Sequence, residues 1–155
     1  MNTQSVETIR PGIHTIDAIS DDICKSIINE FINHEKWKQA KITKYEYNAN
    51  CKGVMKVALD VEKRVADRVH YSDVEMDNHP KSKVFFDFVK NNILPFIKKE
   101  YGLDTEEFGE AEIVRYPAGG VFVPHADSNK LKPYRAFSVI LYLNDNFAGG
   151  ETHFP

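Results

Sequence analysis

Cysteine is scarce in this chain: Cys24 and Cys51 are the only two among 155 residues, and they lie far apart. That spacing matches no zinc motif, so both are expected as free thiols of a cytoplasmic protein, Cys24 on a helix and Cys51 in a loop. Long apolar runs are missing too. Nothing approaches the roughly 20 residues that cross a bilayer, and the opening MNTQSVETIR has no signal-peptide core. Those first residues are polar and expected to fray. An excess of one charge is also lacking: 20 Lys and Arg face 23 Asp and Glu, for a formal net charge of −3, with no basic stripe. A nucleic-acid partner would need such a footprint. Neither nucleic acid nor membrane is expected as a partner.

What is present suits one globular domain over 1–155: 42% hydrophobic and 28% charged residues, enough to bury a sizeable core. The region 1–109 reads as mainly helical support. Ser20 is a natural N-cap, Asp21 and Asp22 suit the positive end of a helix dipole, and Ile23, Ile27, Ile28, Phe31 and Ile32 recur at helical spacing through Asn33. From Trp37 to Tyr47 partial alternation suggests an exposed or edge strand, and Asn48 to Gly53 a turn or loop. Val57, Val61, Val65 and Val69 repeat every four residues among charges, which predicts an amphipathic helix over Gly53–Tyr71. Asp77 to Pro80 is a breaker. A Phe-rich helix then runs from Val84 to Tyr101; Pro95 should kink or divide it, and Gly102 should end it.

From Glu110 the period changes to two. Glu110–Tyr116 reads as a strand, Pro117-Ala118-Gly119-Gly120 as a tight turn, and Val121–Val123 as a second strand. His125 and Asp127 follow. At i and i+2 on an extended segment, an imidazole and a carboxylate point to one face. They could be two ligands of a 2-His-1-carboxylate triad, which holds Fe(II) and leaves positions open. A surface loop with Asp127 capping a turn is the alternative. His14, His34, His70 and His79 show no ligand spacing and read as solvated. Ser138 to Leu143 alternates imperfectly, as a strand covered on both faces; a turn follows at Leu143 to Asn146, and Gly149-Gly150 starts a further strand.

The surroundings of the pair carry more information than the pair itself. Arg115-Tyr116-Pro117-Ala118-Gly119-Gly120 precedes it, Arg135-x-Phe137-Ser138-x-Ile140-Leu141-Tyr142-Leu143-Asn144 follows, and Gly149-Gly150-Glu151-Thr152-x-Phe154 closes the run. In this order the chain resembles the prolyl 4-hydroxylase-like branch of the Fe(II)/2-oxoglutarate-dependent dioxygenases, closely over its last third and loosely before it. The resemblance implies an α+β fold, with N-terminal helices packed on a double-stranded β-helix, or jelly roll. About half of that roll is present, with 110–155 as its first strands. It also implies Fe(II) on His125 and Asp127, 2-oxoglutarate as co-substrate, and ascorbate as an optional cofactor. The reaction would be hydroxylation of an unactivated C–H bond coupled to decarboxylation of 2-oxoglutarate to succinate. The substrate would be a prolyl or other peptide side chain, or a small molecule. Tyr116 and Tyr142 match cofactor-binding positions, with a buried strand tyrosine as the other reading. Arg135 matches a position that meets substrate, with a surface ion pair as its alternative.

In this family a second His ligand and a basic 2-oxoglutarate anchor follow several dozen residues later, and the sequence stops at Pro155 before either. His153 stands where the family is variable and is expected to face away from iron. Two readings therefore stay open. One is a hydroxylase of which this is an incomplete part, inactive as it stands. The other is a non-catalytic binding module on the same scaffold, or a half-domain completed by another chain.

Overall fold

In the computed structural model, residues 5–47, 53–70, 80–105, 111–128, 133 and 135–154 are described. They form a mixed α+β arrangement with antiparallel sheets. No closed barrel occurs among them. The chain groups into two compact units, taken here separately. The first draws on Met1–Asn33, Met76–Glu107 and Val139–Asp145. The second draws on His34–Glu75, Phe108–Ser138 and Asn146–Pro155.

The first unit opens on a hairpin where fraying was expected. Strand β1 (Val6–Arg10) pairs antiparallel with β2 (Ile13–Ile16) across Gly12, whose φ of 81° favours a residue without Cβ. Polar composition had concealed alternation that a partner strand could use. Helix α1 (Asp21–Phe31) begins after Ser20, as its cap chemistry predicts, although the serine side chain makes no capping bond. Its buried residues are Cys24, Ile27 and Phe31, one stripe at i, i+3 and i+7, while Ile32 is exposed. The Cys24 thiol is free, and burial, with the Asp21 charge adding, pushes its pKa up, away from a reactive thiolate.

Helix α2 (Pro80–Phe88) lies against α1, and α3 (Leu94–Tyr101) follows it through a π-helical turn at Val89–Ile93. Pro95 explains the division. It cannot donate to the carbonyl four residues back and its ring would strike that turn, so the chain widens before it. Val89, Ile93 and Ile97 stay buried through the change. Gly102 stops α3 in the left-handed region at φ 67°, its N–H bonded to the Lys98 carbonyl at 3.0 Å. His14 is not simply solvated: its Nδ1 is 3.0 Å from Thr8 Oγ1, its Nε2 is hydrogen-bonded to the Tyr101 hydroxyl, and the Phe96 ring meets it edge-on at 5.0 Å.

The second unit corrects the helix expected over Gly53–Tyr71. Described residues there form β5 (Gly53–Ala58), β6 (Arg64–Val65) and β7 (Asp67–His70). A repeat of four satisfies a strand of period two as well as a helix, and valine, β-branched, favours the strand. Nor do the valines share a face: Val57 is 66% exposed and Val69 is 0%. Between β5 and β6, Asp60 makes a turn, accepting from the Arg64 N–H at 2.8 Å through its carbonyl and from the Glu62 N–H at 3.2 Å through its side chain.

The expected strand at 37–47 divides into β3 (Lys38–Gln39) and β4 (Ile42–Tyr47), the latter paired with β5 in a six-residue register. The loop expected after Tyr47 and the breaker at 77–79 lie outside the described residues, as do Cys51 and His79. Strand β8 (Glu112–Arg115) pairs with β7, giving a three-stranded sheet in the order β3-β7-β8, and β9 (Val121–Phe122) pairs with β6. Helices thus occupy only part of 1–109, where a mainly helical support was expected. Residues 138–143, expected as a strand, join no ladder among the described residues, and neither do 150–154.

Phe31 is 2% exposed in the first unit. Phe31→Ala should therefore cost about 3–5 kcal/mol of unfolding free energy, by lost burial plus an uncollapsed cavity. Urea denaturation would show it; a loss under about 1 kcal/mol would mean that α1 does not hold this core.

Candidate functional site

The site begins with a turn. Pro117 to Gly120 closes with the Gly120 N–H bonded to the Pro117 carbonyl at 2.7 Å, and Gly119 at the third position has φ 75°. Gly120 is needed for another reason. A Cβ there would stand 2.8 Å from the Pro117 carbonyl oxygen and 2.9 Å from that of Val65. Only glycine lets the chain pass so close to β6. Strand β9 then pairs with β6, and the Val123 N–H donates to the Lys63 carbonyl at 2.9 Å. That bond anchors the Val123 backbone on the peptide unit just before the one whose carbonyl meets His125.

The Val123 carbonyl oxygen is 2.9 Å from His125 Nδ1. A carbonyl only accepts, so Nδ1 carries the hydrogen. In a neutral ring the lone pair then lies on Nε2, which is 3.1 Å from Asp127 Oδ1. Lone pair facing lone pair is repulsive unless a positive centre is shared: a second ring proton or a metal cation. Two donors bonded to one metal at about 2.1 Å and a right angle stand about 3 Å apart, so the observed separation suits neighbouring ligands. The Nδ1–H to backbone carbonyl bond is also the usual support of a metal-binding histidine. The other carboxylate oxygen, Asp127 Oδ2, accepts from the Ser138 hydroxyl.

The imidazole is held from a second side. Its ring stacks on Phe122, with centroids 3.7 Å apart and an interplanar angle of 22°. The Arg64 guanidinium carbon lies 4.5 Å from the centre of the same Phe122 ring. Arg64, buried, also donates to Glu112 Oε1 at 2.9 Å, while Arg68 donates to Oε2 at 2.8 Å. Burial by itself would raise the Glu112 pKa. Hydrogen bonds from Arg68 and Arg64, with their charges, outweigh it and hold the carboxyl below its usual range. Nearby, Arg115 pairs with Asp67 at 3.0 Å and covers the Trp37 ring at 4.3 Å.

The geometry thus brings His125 and Asp127 together. Tyr116, just past β8, is 50% exposed and Tyr142 53%, so neither is the buried strand tyrosine of the alternative reading. Arg135 is half-buried. Tyr142 belongs to the first unit and the pair to the second. His153 is exposed. Among the described residues no third His, Cys, Asp or Glu completes a metal-binding group. Ser138, Phe122 and Arg64 escaped the sequence reading. Ser138 lies eleven residues beyond Asp127, a separation no local spacing rule can read.

The chain matches no protein-family model, no curated protein and no solved structure. No helix among the described residues is long and apolar enough to cross a membrane.

Two outcomes test this geometry. Long-range nitrogen–proton correlation spectra of the neutral His125 ring should show the hydrogen on Nδ1; an Nε2–H ring would leave no lone pair facing Asp127. Because the folded state lowers the Glu112 pKa, the stability it contributes is complete above the ordinary Glu value of about 4.3 and fades as pH falls through the lower, folded value. Glu112→Gln should flatten that acid limb in urea denaturation at stepped pH. A limb as steep as wild type would assign the acid loss to other carboxyls.

Proposed function

We propose that this chain carries the iron-binding strands of an Fe(II)- and 2-oxoglutarate-dependent oxygenase of the prolyl 4-hydroxylase-like kind, with β8 and β9 as jelly-roll strands. One observation carries the reading: His125 Nε2 and Asp127 Oδ1 converge at 3.1 Å with Nδ1 already committed to a backbone carbonyl. A module that only binds a partner has no physical need of such a pair. Bound there, Fe(II) and 2-oxoglutarate would supply oxidative decarboxylation coupled to C–H hydroxylation. The protein's share is to present Nε2 and Oδ1 on one side, leaving other positions open. In the same reading Tyr116 binds 2-oxoglutarate and Arg135 meets the substrate, a peptide side chain or small molecule.

A second reading rests on the donor count. Two protein donors hold a divalent cation weakly, and the described residues offer no third. On that ground the scaffold would serve as a non-catalytic binding module, or be completed by another chain.

Co(II), a spectroscopic substitute for Fe(II), tests the proposal under anaerobic titration. Residues 1–155 should bind it weakly, and added 2-oxoglutarate, bringing two more oxygen donors, should tighten binding. His125→Ala and Asp127→Ala should abolish it with the circular dichroism spectrum unchanged. Succinate formation with Fe(II) should be negligible at two protein donors. Binding that survives His125→Ala would remove the metal assignment. Binding indifferent to 2-oxoglutarate would leave a metal site but remove the co-substrate.

A further inference from the structure

The two oxygens of Asp127 are not equivalent. Oδ1 faces His125 Nε2 at 3.1 Å, and Oδ2 takes the hydroxyl hydrogen of Ser138. A carboxylate that bridges a metal with both oxygens needs both lone-pair sets turned to one side. Here one oxygen is engaged by a donor brought from eleven residues along the chain. We propose that Ser138 is a positioning residue that makes Asp127 a one-oxygen ligand, with Oδ1 toward the metal and Oδ2 locked away from it. The assignment rests on the metal reading of the His125–Asp127 pair and adds the group that orients its carboxylate.

The physical case runs through rotamer freedom. Asp127 is exposed, its side chain keeping 45% of its accessible surface, so packing does not hold its terminal torsion. That torsion is broad and nearly two-fold for aspartate. Without a partner on Oδ2 only the His125 contact at Oδ1 would restrain the carboxylate, and both oxygens could turn to one side. A hydroxyl donated to the ionised group is a charge-assisted bond, about twice as strong as a neutral one, and it selects one orientation. His125 receives the matching restraint from the Val123 carbonyl and the Phe122 ring. Each ligand of the pair thus has its own orienting partner, one main-chain carbonyl and one side-chain hydroxyl. Partners of this kind change metal affinity about 10–100-fold when removed.

Ser138→Ala and Ser138→Thr, titrated with Co(II) beside wild type and His125→Ala, test the assignment. Ser138→Ala should lower affinity about 10–100-fold, and Ser138→Thr, which keeps the hydroxyl, should restore it. The paramagnetically shifted His125 Nδ1–H resonance should persist in Ser138→Ala at saturating Co(II), because the Val123 carbonyl still holds the ring. Circular dichroism spectra of the Ser138 variants should match wild type, since Ser138 is exposed. Wild-type affinity in Ser138→Ala, with binding still lost in His125→Ala, would overturn the role of Ser138 alone. Failure of Ser138→Thr to restore binding would also overturn it. Equal binding by wild type and His125→Ala would remove the metal reading and this inference with it.

Discussion

The hydrogen bond from His125 Nδ1 to the Val123 carbonyl is the constraint on which the site depends. It decides which ring nitrogen is left with a lone pair, and so whether His125 can serve as a ligand toward Asp127. The bond exists because Val123 itself is held, its N–H donated to Lys63 as β9 pairs with β6. That pairing in turn requires Gly120 to pass within 3 Å of main-chain oxygens, where a Cβ would collide. A turn residue with no side chain thus lets β9 reach the pairing that precedes the Val123 carbonyl and its contact with His125.

Magnitudes separate what stabilises this unit from what orients the site. Exposed ion pairs such as Arg115–Asp67 contribute at most about 1 kcal/mol. Burial of an apolar side chain as complete as that of Val69, on the central strand β7, contributes about 1.5–3 kcal/mol. The sheet is therefore held by burial, not by its charges. The Arg64–Glu112–Arg68 cluster matters for a different reason: it fixes the guanidinium over Phe122, and Phe122 carries the imidazole. Orientation is the contribution of these charges.

Legibility in the sequence followed the range of the physics involved. Helix α1, the division of the second helix at Pro95 and the stop at Gly102 were readable, because caps, prolyl rings and left-handed glycines act within one turn. The closeness of His125 and Asp127 was readable because they are two residues apart, although the chain bends at Pro124 and Asp127 and no strand runs through them. The stretch from Gly53 to His70 was misread because a four-residue repeat fits both periods, and only pairing with β3, β4, β8 and β9 settles it. Polar residues 6–10 were misread for a related reason: a strand with both faces exposed carries little hydrophobic signal.

By itself the sequence determined the charge balance, the tight turn at 117–120, the first helix and the juxtaposition of an imidazole with a carboxylate. These are set by side-chain chemistry within a few residues. Tertiary structure alone decided that Val57, Val65 and Val69 belong to strands and Val61 to the turn between them. It decided also that Ser138 reaches Asp127 across the intervening chain, and that the Arg64 guanidinium sits above Phe122. Those contacts join residues eleven and more positions apart; Arg64 and Phe122 meet through the β6–β9 register, and neither that register nor the path from Asp127 to Ser138 is encoded in local spacing.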